Sequence, residues 1–471
     1  MSYIKQFKKG YYINYGNNYG NNIAPPFPKS DFPIFSNNKI IWFDNGATTH
    51  KPFSTINSVK EYYEKYNSNI HRSPHQLSII SSTMFDETRI LTAKYLGCDT
   101  DEIIFMKGAT EGINFLANSI NLAKVGSHCI LPSKSNAIKD FAEQIFPDLN
   151  YLSSQQLSRI APHPNGTLPG QNTMINTTVL LTNMEHHSNI VPWQLLHRKG
   201  LVNLQYLIYD KNNNKINLAD LEDSLLNNPT IKIVSVTHVS NVLGTTNPIR
   251  EMAEIVHKYG AILIIDGAQG IPHHKINVKE LGCDAYVFSS HKLFSVTGVG
   301  VVYCDKKMYE YLEPWQGGGS MIKDVDLYTS TFQDPPHKFE AGTPNIANII
   351  AFGDTLKYLE KMDWNEIEAY EKKLTEYLYE SIRKIPNVII LADTIINKVP
   401  ICSFVIPDVD DNALLVELDK HGIAIRYGHH CAQPIIKHFG YQSVYRASLA
   451  PYNTTEEIDY FISIIKTFVM K

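Results

Sequence analysis

Three polar residues share a setting: each lies at or just past the end of a short apolar run. Thr110 follows Glu102-Ile-Ile-Phe-Met106 through Lys107-Gly-Ala, Asp266 ends Ala261-Ile-Leu-Ile-Ile265, and Lys292 lies just beyond Ala285-Tyr-Val-Phe-Ser289. A strand that turns through Gly108 into a helix start offers free N–H groups to a phosphate-sized anion. A carboxylate closing a buried strand stands at a sheet's ligand edge, although a helix N-cap would look the same. A lysine after a buried strand is partly desolvated, which favours the neutral amine that forms Schiff bases; a surface lysine is the bland alternative. Two further clusters, Asn183-Met-Glu-His-His-Ser-Asn189 and Arg426-Tyr-Gly-His-His-Cys-Ala-Gln-Pro434, add imidazoles, a guanidinium and a thiol. An electron-sink cofactor such as pyridoxal phosphate needs a phosphate cradle, a carboxylate opposite its pyridinium nitrogen and a Schiff-base lysine. Thr110, Asp266 and Lys292 supply these in that order.

The elements that must position these groups alternate along the chain. Glu102–Met106, Ile231–Thr237, Ala261–Ile265 and Ala285–Ser289 read as strands, while Thr110–Ile120 and Ile249–Tyr259 read as helices. Such alternation argues an α/β fold with a mainly parallel sheet. The last third differs. Asp363-Trp-Asn-Glu366 and Thr454-Thr-Glu-Glu457 are helix-start signals. Behind them Ile367, Tyr370, Leu374, Leu378 and then Ile458, Phe461, Ile462, Ile465 form apolar stripes. Val399–Ile406 and Gly422–Arg426 are strand-like, so a smaller α+β domain is expected at the C-terminal end.

With 471 residues, about 150 per domain allows two or three domains. The 43 Lys+Arg against 47 Asp+Glu give a formal charge of −4, which speaks against a basic nucleic-acid binder. No run reaches the roughly 18 apolar residues of a membrane span. Cys98, Cys129, Cys283, Cys304, Cys402 and Cys431 are widely spaced with no C-x-x-C pair, which argues for a reducing compartment rather than a disulfide framework. His429-His430-Cys431 with His421 has no second pair at zinc-finger spacing, so no metal is expected. No G-x-G-x-x-G opens a βα unit, which argues against a dinucleotide-binding oxidoreductase.

The chain resembles the Suf-type (group II) cysteine desulfurases, within the class V, fold-type I pyridoxal-phosphate enzymes. The resemblance runs from about Asp31 to the C-terminus. It is carried by Met184-Glu-His-His-Ser-Asn-Ile-Val-Pro-Trp193, Thr237-His-Val-Ser-Asn-Val-Leu-Gly244, Asp266-Gly-Ala-Gln269, Ser289-Ser-His-Lys292, Gly317-Gly-Gly-Ser320, Phe339-Glu-Ala-Gly-Thr-Pro-Asn345, Arg426-Tyr-Gly-His-His-Cys431 and Arg446-Ala-Ser-Leu449. It implies a large domain with a mainly parallel seven-stranded sheet and a smaller C-terminal α+β domain. It further implies that Lys292 is the Schiff-base lysine and moves the substrate's Cα proton, with Asp266 on the pyridinium nitrogen and His186 on the ring face. Gln269 and Asn241 would hold the phenolic oxygen side. Thr110, Ser289 and His291 would hold the phosphate, joined by Thr343 of a neighbouring subunit in a homodimer. Arg446 would clamp the substrate carboxylate, supported by Asn241 and His71, and Arg426 is also expected to bind substrate. Cys431 would attack the sulfur of L-cysteine, leaving L-alanine and a Cys431 persulfide, with His429, His430 and Arg426 as electropositive helpers.

The domains expected are a mobile tail over 1–30, a segment over 31–45 packing on the small domain, a large domain over 46–345 and a small domain over 346–471. Ala109, Ser290, Ser295-Val296 and Gln316 depart from the family pattern, without removing a catalytic group. The stretch between Thr110 and His186 is longer than the family's, with an insertion at about 132–176 read either as a surface loop or as a contact for a sulfur acceptor. The resemblance implies a role in iron–sulfur cluster assembly, a SufE- or SufU-like acceptor, and a cytoplasmic setting with an organelle lumen left open. Selenocysteine lyase is the sister reading, and an inactive scaffold or compartment cargo the reading from another class.

Overall fold

The computed structural model describes residues 24–127 and 177–470. Residues 1–23 of the expected tail and the whole expected insertion, 132–176, lie outside them. Phe27, inside the expected tail, is fully buried and packs edge-on against Phe294, and Lys29 pairs with Glu457. The anchored chain therefore begins ahead of residue 31, because an aromatic side chain finds an apolar socket there.

In chain order the strands are β1 (Ile41–Trp42), β2 (Ile103–Met106), β3 (Thr178–Thr182), β4 (Asn203–Leu207), β5 (Ile231–Thr237), β6 (Ile262–Asp266), β7 (Ala285–Ser289) and β8 (Gly300–Cys304). A hairpin of β9 (Ile322–Val325) and β10 (Ser330–Phe332) follows. Then come β11 (Ile389–Ile390), β12 (Ile401–Val405), β13 (Ile423–Ala424), β14 (Arg426–Gly428) and β15 (Val444–Ser448). The central sheet has seven strands in the order β2-β8-β7-β6-β5-β3-β4. Only β8 runs against its neighbours. Strands β2, β3, β5, β6, β7 and β8 are almost wholly buried, as expected when helices cover both faces of a parallel sheet. The expected mainly parallel seven-stranded sheet is present.

The smaller sheet, β11-β12-β15-β14, is antiparallel throughout. Its core takes the expected stripes, Ile367 aside: Tyr370, Leu374 and Leu378 from the helix Trp364–Ile382, and Ile458, Phe461, Ile462 and Ile465 from the helix Thr455–Val469. Thr454 completes a capping box with Glu457, whereas Asp363 caps its helix from one side only. Two expectations need correction. The stretch Gly422–Arg426 is not one strand: β13 pairs with β1, and β14 turns away to join β15. The helix Ile346–Leu359, placed at the start of the small domain, packs its apolar face on the helices Phe53–Glu61 and Gln76–Leu96 of the large domain. After this helix the chain enters the second core from Tyr370 of the helix Trp364–Ile382, where Ile41 and Phe43 of the N-terminal segment already lie.

Candidate active site

The carboxyl ends of β2, β3, β5, β6 and β7 meet at one sheet edge, where parallel α/β sheets bind ligands. After β7 a short 3-10 turn, Ser290–Lys292, delivers Lys292. Ser290 Oγ donates to the carbonyls of Val296 and Val299 at 2.6 and 3.1 Å. The carbonyl of His291 accepts from Thr48 Oγ1, Thr49 Oγ1 and Lys51 Nζ at 3.1 to 3.2 Å. The turn is thus gripped on both sides. Burial pulls the Lys292 amine down to about 8, against the opposing charge of Asp266 and with help from Arg446. Burial also raises the Asp266 carboxyl, which accepts only the Ala268 N–H at 3.0 Å and joins no ion pair among the described residues. A buried carboxylate with no protein cation suits a protonated ring nitrogen, and a nucleophilic amine beside it suits an aldehyde.

Around this pair lie the residues expected to form a cradle. The N–H of Ala109, at the start of the helix Ala109–Ser119, donates to Ser289 Oγ at 2.7 Å. Thr110 Oγ1 lies 2.7 Å from Ser188 Oγ, which in turn lies 3.1 Å from His186 Nδ1. The same Nδ1 accepts the Ser188 N–H, so the neutral ring carries its proton on Nε2. Burial, then the Lys292 charge, lowers His186 to about 3. Behind it, Glu185 is fully buried, accepts from Thr182 and Asn189 at 2.6 and 2.7 Å, and is raised to about 8 by burial. Gln269 Nε2 donates to the carbonyl of Gly46 at 2.6 Å. His291 Nδ1 lies 3.3 Å from Thr48 Oγ1, and burial lowers it to about 4.

The small domain supplies the facing wall. Arg446, on β15, is buried; its Nη1 donates to the carbonyl of Asn241 and its Nη2 to Asp44. Burial lowers it to about 10 against the opposing Asp44 charge. Asn241 Nδ2 donates to the carbonyl of His430 at 2.8 Å, linking β5's loop to the thiol loop. Cys431 is exposed, and His430 and Cys431 both adopt left-handed backbone, with φ of 48 and 53°. The turn is pinned where His187 N–H donates to the Cys431 carbonyl at 2.6 Å and Cys431 N–H donates to His429 Nδ1 at 3.1 Å. A Cys431 thiolate lies close enough for its charge to bear on Lys292, Arg446 and Arg426. By contrast, burial pushes up the thiols of Cys98, Cys283, Cys304 and Cys402, which suits packing; Cys129 lies outside the described residues. Among the described residues no group of His, Cys, Asp and Glu is arranged to hold a metal ion.

Two expected residues stand elsewhere. His71 and Thr343 line a cleft of about 1080 Å³ together with Arg72 and His337, and that lining contains none of Lys292, Asp266, Arg446 or Cys431. Within one chain, therefore, His71 does not support the Arg446 clamp. Its backbone N–H is held by Ser82 Oγ at 2.8 Å and its ring faces Asp86 at 3.9 Å. Four neighbours of the site escaped sequence reasoning: Asp44, Thr48, Lys51 and Ser188. The signal for the first was present, since Asp44-Asn-Gly-Ala-Thr48 follows the apolar Ile40-Ile-Trp-Phe43 as other strand-end motifs do.

The family model Aminotransferase class-V matches residues 41–138 and 169–461. A "Probable cysteine desulfurase 1" of Mycobacterium leprae is 38% identical over 93% of this chain, which spans 64% of that relative's length. A "Probable cysteine desulfurase" of Halalkalibacterium halodurans is 36% identical over 92% of this chain and 94% of its own length. The solved apo structure of a cysteine desulfurase from Thermococcus onnurineus superposes with a TM-score of 0.80 at 30% identity, covering 96% of this chain and 99% of its own. The strand-end lysine and carboxylate, the facing arginine and the exposed thiol thus sit in a fold shared with those proteins. The chain belongs to the class-V aminotransferase family, on the branch that holds its cysteine desulfurases.

Proposed function

We propose that the protein is a pyridoxal-phosphate-dependent cysteine desulfurase that converts L-cysteine to L-alanine and takes the sulfur onto Cys431. The observation that carries this reading is the depressed Lys292 amine, which lies within electrostatic reach of an unpaired Asp266 carboxylate and of an exposed Cys431. Asp266, His186, Gln269, Thr110, Ser289 and His291 would hold the cofactor, with Lys292 as its covalent attachment. When bound, pyridoxal phosphate supplies an electron sink that weakens the substrate's Cβ–S bond.

The chain's own groups do the rest. Arg446 binds the α-carboxylate, a task suited to guanidinium geometry. His186 stays neutral at physiological pH, so it presents an Nε2–H donor. Lys292, once free, is near its working pH for accepting and returning the Cα proton. Cys431, as the thiolate, forms a bond to the substrate sulfur as the Cβ–S bond breaks. The electron pair of that bond stays with the carbon side, which gains a proton and leaves as alanine. The products balance: cysteine plus Cys431 thiol becomes alanine plus Cys431 persulfide.

The open cleft with His71 and Thr343 supports a homodimer in which Thr343 serves the neighbouring subunit. Supply of sulfur to iron–sulfur cluster assembly through a SufE- or SufU-like acceptor, in the cytoplasm, completes the proposal. No helix among the described residues is long and apolar enough to cross a membrane. The test is purified protein with pyridoxal phosphate and L-cysteine. It should release alanine, and Lys292→Ala should abolish both turnover and the borohydride-trapped adduct. Alanine release that survives Lys292→Ala would reject the reading.

A further inference from the structure

Two guanidinium groups converge on one buried carboxylate, Asp44. Arg426 grips it along a side edge, with Nε 3.0 Å from Oδ1 and Nη2 2.8 Å from Oδ2. Arg446 reaches it through Nη2 alone, 3.1 Å from Oδ1, while its Nη1 is tied to the Asn241 carbonyl at 3.0 Å. A guanidinium carries about five N–H donors. Arg446 Nε is buried and has no partner. A charged donor left unsatisfied in the interior is costly, so an acceptor arriving from outside is strongly favoured there.

The backbone on either side of Asp44 is pinned. Ser448 N–H donates to the Phe43 carbonyl at 2.7 Å, Asn45 N–H donates to the Ser448 carbonyl at 3.2 Å, and Gly46 N–H donates to Ser448 Oγ at 2.8 Å. The segment lies flat against the clamp: a Cβ on Gly46 would stand 3.0 Å from Arg446 Cζ. One carboxylate against two guanidinium groups leaves a single positive charge, which matches a ligand with a single carboxylate. Without Asp44, the like charges of Arg426 and Arg446 would repel, and Arg446 would keep only the Asn241 carbonyl.

We infer that Asp44 is the positioning residue of the substrate clamp: it engages Arg426 and the Nη2 end of Arg446, and so holds the Arg446 guanidinium in one orientation for one α-carboxylate. This rests on the desulfurase reading above and deepens it to how the amino acid is selected. Arg426, expected to bind substrate directly, acts here as the other half of the Asp44 pair.

Charge alone makes the opposite forecast, since removing an anion from a carboxylate site should tighten carboxylate binding. Holoenzymes of the unchanged protein and of Asp44→Asn are titrated with L-alanine and with L-alaninamide, which lacks the carboxylate, while the visible cofactor band is followed. Asp44→Asn should bind L-alanine about tenfold more weakly, as for a misplaced charge-assisted hydrogen bond, and alaninamide within about twofold of the unchanged protein. Asp44→Glu should recover part of the loss. Unchanged or tighter L-alanine binding overturns the inference. So does equal weakening of both ligands, which would mark a general structural loss. If the unchanged holoenzyme, cofactor bound, responds to neither ligand, the desulfurase reading fails and takes this inference with it.

Discussion

Lys292 and Asp266 feel the same burial, and burial moves opposite charges in opposite directions: the amine goes down to about 8 and the carboxyl goes up. Only the neutral amine attacks an aldehyde. The neutral fraction of Lys292 should therefore rise from about a tenth at pH 7 to about nine tenths at pH 9. Covalent capture of pyridoxal phosphate by apoprotein, followed by its visible band, should accelerate across that window with a midpoint near 8. Because the Asp266 charge raises Lys292, Asp266→Asn should move the midpoint lower; a midpoint near the ordinary lysine value would contradict the burial argument. Cys431 makes a separate claim. Cys431→Ala should collapse alanine formation from L-cysteine to about a hundredth or less, as for loss of a covalent nucleophile. Selenocysteine cleavage should largely survive, since selenide leaves without a thiol. These residues were legible because a strand-end polar group announces itself locally. Asp44 carries the same local signal, but its role was not legible, since its partner Arg446 lies 402 positions away and no local pattern encodes that pairing.

At the scale of elements, the cradle depends on how closely β8 approaches the start of the helix Ala109–Ser119. A Cβ on Gly300 would lie 2.4 Å from the Gly108 Cα, and backbone cannot move aside as a flexible side chain can. Gly300→Ala should cost about 2–3 kcal/mol of stability and, by shifting the Ala109 N–H that meets Ser289, weaken cofactor affinity about tenfold. Thr454→Ala removes a complete capping box and should cost about 1 kcal/mol with cofactor affinity unchanged. Thermal denaturation paired with a cofactor titration separates the two; a cofactor loss in Thr454→Ala would show that the small-domain helix bears on the cradle. Helices and buried strands were readable because periodicity reports their faces. The helix Ile346–Leu359 was misplaced because it is apolar almost all round, so its pattern says that it is buried but not against what.

At the scale of the whole molecule the two domains meet at Gly46, whose N–H donates to Ser448 of the small domain and whose carbonyl accepts from Gln269 of the large one. The fold class followed from the alternation of strands and helices; the assembly did not, because a single chain's pattern does not show which exposed surface meets a second copy. His71 and Thr343 line their own cleft, and the proposed homodimer would set that cleft against a second copy. If Thr343 serves the neighbouring site, mixing Lys292→Ala with Thr343→Ala subunits at limiting cofactor should restore activity that neither homodimer has, because one site per mixed dimer is intact. No recovery after subunit exchange would place Thr343 outside the site. The central claim, that this protein moves sulfur from an amino acid onto its own thiol, is tested most directly by mass spectrometry of the holoenzyme after brief exposure to L-cysteine. The account predicts one added sulfur atom on the peptide that contains Cys431, removed by a thiol reductant. Alanine formed with no added sulfur on Cys431 would contradict it.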